Sequence, residues 1–409
     1  MKIKEVKAIE IIDSRGNPTI RCFLFLDDGS LGITSIPSGA STGSHEAFEL
    51  KDGGKRYHGQ GVKKAVDNIN LYLKKIIINQ IADPQKIDER LIKEDGTANK
   101  SHFGANAILA VSQALVKALA CYYKKPLWQF LSNYYFGSSF GFPYLMVNLI
   151  NGGAHANFNF DVQEFILSPK TNQPEKAIEI ASEIFHQMAI NLKKEGLSTL
   201  VGDEGGFSPN LKNNEEALEL IIKSAADLGY QNGVDFNLAL DCAASQFYHD
   251  GIYFLKKEEK KISAQQLISY YLYLKEKYQI FSFEDPFFEN DWENFRQFTN
   301  QVSPSLVVGD DLYTTNLSLI KKGIAEKTTN AVLIKPNQIG TVTETALAIN
   351  EAKKEGWQII VSHRSGETED TFISDLSYAA KANFLKSGSV CRGERVVKYN
   401  RLIEIANGF

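Results

Sequence analysis

The sequence predicts an α/β protein in two parts, a small α+β domain followed by a longer half of repeating β/α units. Two observations predict it. The first 36 residues carry strand-like apolar runs, and a block of helical patterns follows them. Beyond residue 143 the rhythm changes to short apolar runs, each closed by a charged residue and followed by a helix-like segment.

Taken in order, residues 3–12 are apolar with partial alternation, Pro18 to Asp27 form a second run, and Asp27-Asp28-Gly29-Ser30 is a turn into a third. Helical patterns cover 61–75, 83–93 and 104–123, the last rich in Ala, Leu and Val. The stretch Phe136-Gly-Ser-Ser-Phe-Gly-Phe-Pro143 marks a boundary, dividing the chain into 1–136 and 137–409. In the second part Leu238–Leu240 ends in Asp241, Phe281–Phe283 in Glu284-Asp285, and Leu306–Gly309 in Asp310-Asp311. Ala331–Ile334 then ends in Lys335, and Gln358–Ser362 in His363-Arg364. The intervals from 241 to 284, 310, 335 and 363 are 43, 26, 25 and 28 residues. A strand, a helix and two loops take about 25–40 residues, so these are successive βα units. Each polar group falls at the carboxyl end of its strand, which is the ligand-binding face of a β/α barrel and of an open doubly wound sheet alike. No glycine-rich dinucleotide loop follows the first strand of this half, which counts against a Rossmann arrangement.

The chain has 409 residues, 43% apolar and 23% charged, the composition of a globular protein large enough for two domains. A formal net charge of −4 argues against a broad nucleic-acid surface. The amino terminus, Met-Lys-Ile-Lys-Glu-Val-Lys, lacks the apolar core of a secretion signal. No window approaches about 18 uninterrupted apolar residues, so no membrane insertion is expected. Cys22, Cys121, Cys242 and Cys391 are far apart and read as free thiols in a reducing compartment, which makes the cytoplasm the expected location.

Asp241, Glu284 and Asp310 would bring three carboxylates to one mouth. They would repel each other unless a cation lay among them, and oxygen ligands alone suit a hard ion such as Mg²⁺. Any one of these acids could equally cap a helix, but three in consecutive units and matching register is harder to explain that way. Lys335 closes a run of four apolar residues. Burial and a nearby metal would both lower its pKa, making it a base able to take a proton from carbon beside a carboxylate. A Schiff-base lysine or a snorkelling surface lysine is the alternative, and the Schiff base does not explain the acids. Gly202-Asp203-Glu204-Gly205-Gly206 sets an acid on a glycine turn, where confinement could make Glu204 a general acid; taken alone, the segment is more simply an Asx-type turn. Ser38-Gly39-Ala40-Ser41-Thr42-Gly43 could be a lid or a plain linker, and it is not a P-loop.

Together these segments resemble enolase over essentially the whole chain. The resemblance rests on Asp13-Ser-Arg-Gly-Asn-Pro-Thr19, Ser38–Gly43, Asp95-Gly96-Thr97, Asn99-Lys100-Ser101 and Gly104-Ala-Asn-Ala107. In the second half it rests on Gly202–Gly206, Asp241-Cys-Ala-Ala-Ser245, Glu284-Asp285-Pro286, Lys335-Pro-Asn-Gln-Ile-Gly-Thr341 and Ser362-His-Arg-Ser-Gly-Glu-Thr368. It implies an N-terminal α+β domain capping an atypical (β/α)8-type barrel with a ββαα(βα)6 order. It implies dehydration of 2-phosphoglycerate to phosphoenolpyruvate. Lys335 would remove the C2 proton, and Glu204, with Glu164 beside it, would protonate the departing C3 hydroxyl. Asp241, Glu284 and Asp310 would hold one Mg²⁺ and Ser41 a second. Arg364 and Ser365 would bind phosphate, Lys386 would face the substrate carboxylate, and His155, Gln163 and His363 would line the pocket. Relatives form dimers or octamers, so a homo-oligomer is expected.

Some positions depart from the family pattern. Arg21 stands where a Glu is usual, in a region that relatives use for dimer contact. Gln60 replaces a Lys, Gln246 replaces a Glu, and Ser168-Pro-Lys-Thr171 lacks a usual glycine. None is expected to touch substrate directly. The rival readings are an acid-sugar dehydratase or racemase of the same superfamily, a surface-binding role such as a plasminogen receptor with a secondary cell-surface location, and an inactive paralogue. The ending Ile405-Ala-Asn-Gly-Phe409 lacks the C-terminal lysines on which a receptor role is usually argued.

Overall fold

The computed structural model describes residues 1–39, 43–153 and 160–409. The amino-terminal strands β1 (Ile3–Ile12), β2 (Pro18–Leu26) and β3 (Leu31–Ser35) form an antiparallel meander. Ile3, Val6 and Ala8 of β1 and Ile20, Cys22 and Leu24 of β2 all point into one core, the period-two burial of a sheet with one packed face. The outer edge of β1 is closed by a helical stretch over 63–77, where Asn70 accepts the Ala8 N–H at 2.9 Å and donates to the Ala8 carbonyl at 3.0 Å. One side chain thus satisfies both backbone groups of an edge residue.

Helix Ala105–Tyr122 lies across β2 and β3. It is long and apolar enough to cross a membrane by composition, but 83% of that window is buried here, so it is the core helix of this domain. Gly32 permits its close approach, since a Cβ there would lie 1.9 Å from the Ala114 carbonyl oxygen. Helix Pro84–Asp95 starts with proline after the Asp83 cap and ends at Gly96 in the left-handed region, at φ +70°. The sequence pattern does not single out helix Leu127–Tyr135, a short aromatic-rich segment that starts after Pro126 and buries Phe130, Leu131 and Tyr135.

The second half begins with β4 (Tyr144–Asn151) and β5 (Glu164–Pro169), then two helices, Pro174–Lys194 and Asn214–Ala226. β6 (Phe236–Asp241) follows. A small antiparallel sheet of β7 (Tyr248–His249), β8 (Ile252–Leu255) and β9 (Lys260–Ile262) precedes helix Ala264–Tyr278. Then come β10 (Ile280–Glu284), β11 (Leu306–Gly309), β12 (Ala331–Ile334), β13 (Gln358–Ser362) and β14 (Phe384–Lys386), each followed by a helix. The ring closes in the order β4-β5-β6-β10-β11-β12-β13-β14. β5 is antiparallel to both neighbours and the other pairings are parallel. This is the ββαα(βα)6 barrel that the resemblance implies. Met146, Ile166, Ala239, Val308, Ala331, Leu333 and Ile360 fill its interior as a cluster separate from the larger core between strands and helices.

The two halves meet through polar pairs. Lys117 holds Asp370, which also accepts the Ser35 N–H and the Thr34 hydroxyl, each at 2.9 Å. Arg21 donates to Ser35 Oγ and contacts Glu369, so its charge is used within the chain. Asp88 accepts the Thr343 N–H at 3.1 Å. Burial pushes its carboxyl up to about 6, while bonds from Thr343 and Ser112 pull the other way. A folded-state value above the unfolded one means stability is lost as pH rises from about 4 through about 6. The expected loss from this group is on the order of 3 kcal/mol. Urea unfolding of wild type and Asp88→Asn at both ends of that window should show the difference; parallel pH profiles would refute it.

Candidate active site

The carboxyl ends of the parallel strands converge as the spacing predicts. Asp241 and Glu284 end β6 and β10 and stand in register with one another. Asp310 follows β11 by one residue, Lys335 follows β12, His363-Arg364-Ser365 follows β13, and Lys386 ends β14. Glu164 reaches the same mouth for the opposite reason. β5 runs backwards, so its first residue pairs with Asn151 and Asp241, the last residues of β4 and β6.

Glu204 comes from the glycine turn. The turn is tied back to β4 by the Phe207 bridge to Ile150 and by the Gly206 N–H donated to Asn151 Oδ1 at 3.0 Å. At Gly205, φ is +87° and a Cβ would lie 2.5 Å from the Cys391 carbonyl oxygen, so only glycine fits there. The turn carries a buried acid into the mouth and is more than an Asx turn. Glu204 Oε2 accepts from Asn148 at 3.1 Å, and Oε1 lies 3.6 Å from His363 Nε2.

The pocket is almost wholly polar. Its lining includes Glu164, Glu204, Asp241, Asp285, Asp310 and Asp311 against Lys335, Arg364 and Lys386, six acids to three bases. That imbalance in a buried site favours added positive charge. Lys386 partly supplies it. Its ammonium donates to Asp241 at 2.8 Å and to both oxygens of Glu284 at 2.8 and 2.9 Å, and lies 3.1 Å from Glu164. It stands in for a cation among the acids rather than standing clear of them to face a substrate. Burial pulls the Lys386 pKa down, but Asp241, Glu164 and Glu284 outweigh this and hold it well above the usual lysine value.

The three predicted metal ligands reach one mouth but are shared between two lysines. Asp241 and Glu284 turn to Lys386, while Asp310 turns to Lys335 and to Gln338 Nε2 at 2.9 Å. Among the described residues, the acid and histidine sets whose ligand atoms all lie within 4.8 Å are Glu164–Glu204–His363 and Asp285–Asp310–Asp311. The oxygen-rich donor set as a whole suits a hard divalent ion.

Other acids record the same excess of negative charge. Burial raises Glu164 well above its usual value, with the Glu204 charge adding to it and Lys386 opposing. Burial and Asp241 raise Glu284 against Lys386, and burial and Asp310 push Asp311 up to about 8. For Lys335 the outcome differs from the sequence expectation. Burial lowers its pKa, but the Asp310 carboxylate in contact more than offsets this, and the net shift is upward.

Arg364 is a fork on Glu46 of the amino-terminal domain, with Nη1–Oε2 at 3.0 Å and Nη2–Oε1 at 3.1 Å. The Glu46 carboxylate is a stand-in anion, occupying the bidentate geometry a phosphate would use. Gln163 donates to Asp241 at 3.3 Å and accepts from Gln246 at 2.5 Å. Gln246 can donate where the family's usual carboxylate could not, and it orients the Gln163 amide toward the acids. Ser365 lines the pocket. Ser41 and His155 lie outside the described residues. The flanks of the Ser38–Gly43 loop rest on the barrel: Ser38 exchanges backbone hydrogen bonds with Gly366, and Gly43 packs against Asp311 and Thr314. The Asp13–Thr19 motif docks beside them, with the Ser14 N–H donated to the Glu367 carbonyl at 2.7 Å.

Sequence reasoning missed Glu46 and Arg395. Glu46 has no periodic signal. Arg395 does, because Arg395, Lys398, Tyr399, Leu402 and Ile405 form the buried face of helix Gly393–Ala406. Two basic residues in apolar helical register mark buried charges with work to do.

Comparison with known families agrees with this geometry. Residues 3–131 match the enolase N-terminal domain, and residues 139–409 match the enolase C-terminal TIM barrel domain. With its whole length covered by these two domains and its acids gathered at the barrel mouth, the chain belongs to the enolase family of hydro-lyases.

Proposed function

We propose that the chain catalyses the reversible dehydration of 2-phosphoglycerate to phosphoenolpyruvate, the step shared by glycolysis and gluconeogenesis. The observation that carries this reading is the placement of base and acid. Lys335 follows β12 and Glu164 begins β5, four strands apart in a ring of eight, so they face each other across the mouth. An elimination that takes a proton from one side of a substrate and expels hydroxide from the other needs such a pair.

In this reading Lys335, in the neutral form that burial favours once Asp310 no longer holds its ammonium, takes the C2 proton. The Glu164–Glu204 pair, which shares a proton, gives it to the departing C3 hydroxyl. The Arg364 fork and Ser365 receive the phosphate, which displaces the Glu46 carboxylate from the guanidinium. Asp241, Glu284 and Asp310 would hold one Mg²⁺ and Ser41 a second. When bound, the metal supplies positive charge for the negative charge that builds on the substrate carboxylate oxygens. Lys386, released from the acids, would then be available to that carboxylate. His363 and Gln163 position neighbouring groups, and His155 would complete the lining.

The test is direct. Purified protein with Mg²⁺ and 2-phosphoglycerate should give the ultraviolet absorbance of the enol phosphate, and omitting the metal should abolish it. Turnover of acid sugars in place of 2-phosphoglycerate would overturn the reading in favour of another superfamily reaction.

A further inference from the structure

Arg395 is wholly buried and stands behind the proposed substrate residues, with no role of its own in holding substrate or metal. Its two terminal nitrogens reach four acceptors on two segments. Nη1 lies 2.5 Å from His363 Nδ1 and 2.6 Å from the Arg364 carbonyl oxygen. Nη2 lies 2.7 Å from the Ser365 carbonyl and 3.2 Å from the Asp203 carbonyl. The group thus ties the backbone just before the proposed acid to the backbone of the proposed phosphate ligands.

The contact to His363 does more than tether. A guanidinium has only donors and stays charged, so the nitrogen it meets must be an acceptor. His363 Nδ1 then carries a lone pair, and the proton of the neutral ring sits on Nε2, the atom 3.6 Å from Glu204 Oε1. Burial keeps the ring neutral, with Arg395, Lys386 and Lys335 reinforcing this against Glu204. In the opposite tautomer the Nε2 lone pair would confront the Glu204 oxygen. The carboxyl could then meet it only by turning away or by giving up its proton to that contact.

We propose that Arg395 is a positioning residue that locks His363 in the Nε2–H tautomer, so that a fixed neutral N–H faces the Glu204 carboxyl, which Asn148 holds, and keeps it oriented for its part in proton delivery to the leaving hydroxyl. The proposal rests on the dehydration reading above. A lysine could supply one donor to Nδ1 but could not span all four acceptors.

The test reads the tautomer and the two half-reactions separately. In protein labelled with ¹⁵N-histidine, the imidazole signal that disappears in His363→Asn should report a neutral ring protonated on Nε2. Arg395→Met should mix the tautomers. It should also lower dehydration on the order of a hundredfold, while exchange of the substrate C2 proton with solvent falls less than about tenfold. Arg395→Lys should keep the tautomer and recover most of the dehydration-to-exchange ratio. A wild-type His363 protonated on Nδ1, an Arg395→Met protein with unchanged tautomer, or equal loss of both half-reactions would each overturn the proposal. If Arg395→Met fails to fold, the wild-type spectrum and the lysine variant still decide it. A wild-type protein that neither dehydrates nor exchanges 2-phosphoglycerate would refute the functional reading and leave the tautomer assignment standing on its spectrum.

Discussion

Lys335→Ala is expected to abolish exchange of the 2-phosphoglycerate C2 proton in deuterated solvent and, with it, dehydration, each by about a thousandfold or more. Lys335 is placed for this by its strand. β12 buries all four of its residues, the Lys335 N–H is donated to Thr315 Oγ1 at 2.9 Å, and Pro336 opens a short helix directly after it. The side chain leaves a rigid strand end, enters the mouth and contacts Asp310. No other described lysine offers itself as a substitute, because Lys386 is held by Asp241, Glu284 and Glu164. Glu204→Gln should behave differently. An amide cannot deliver a proton, so dehydration stops, but Lys335 remains and exchange stays measurable. Measuring both rates on both variants separates the roles. Equal loss of exchange in the two would mean that base and acid have been misassigned, while loss of the folded circular-dichroism spectrum in Lys335→Ala would return the lysine to a structural role.

The parts of this site that could be read in the sequence are those that obey one rule, that parallel strands in a barrel share one end. Asp241, Glu284, Asp310, Lys335 and His363 follow that rule, and the structure brings all of them to the mouth. Glu164 breaks it, because β5 is antiparallel and offers its first residue instead of its last. Spacing cannot reveal a reversed strand, so only the resemblance gives Glu164 a role in the site. Lys386 was hidden for another reason: β14 is three residues long, too short for an alternating pattern. The same limit hid β7–β9 and the aromatic helix Leu127–Tyr135. Glu46 is the furthest from the spacing argument, because its place at Arg364 depends on docking one domain against the other. The pKa of Lys335 shows what a list of neighbours leaves out. Burial does lower it, but which carboxylate the ammonium touches is a matter of rotamers and distance, and Asp310 reverses the sign.

Lys386→Met, studied with and without Mg²⁺, should show how the acids are neutralised. In metal-free buffer near neutral pH it should cost about 3–5 kcal/mol of unfolding free energy, because removing one partner of a buried ionic cluster leaves the others uncompensated. Asp241, Glu284 and Glu164 are each at most 4% exposed, so solvent cannot take the place of the ammonium. The cost should shrink as pH falls. Glu164 and Glu284 already sit well above their ordinary values, and losing Lys386, which lowers both, moves them further up. Their folded-state values then exceed the unfolded ones by more. The destabilisation is fully present above the folded values and disappears as pH falls toward about 4, where both states are protonated. Saturating Mg²⁺ should recover most of the loss at neutral pH, since an ion that binds only the folded acids stabilises by mass action. The recovery should be larger in the variant than in the wild type, whose acids already have a cation. Unfolding in urea across pH and metal concentration provides the measurement. A variant as stable as wild type without metal would mean that Lys386 does not neutralise these acids. A variant destabilised equally at pH 5 and pH 7.5, or indifferent to Mg²⁺, would mean that the loss comes from packing and that the three strand-end carboxylates do not form a cation site.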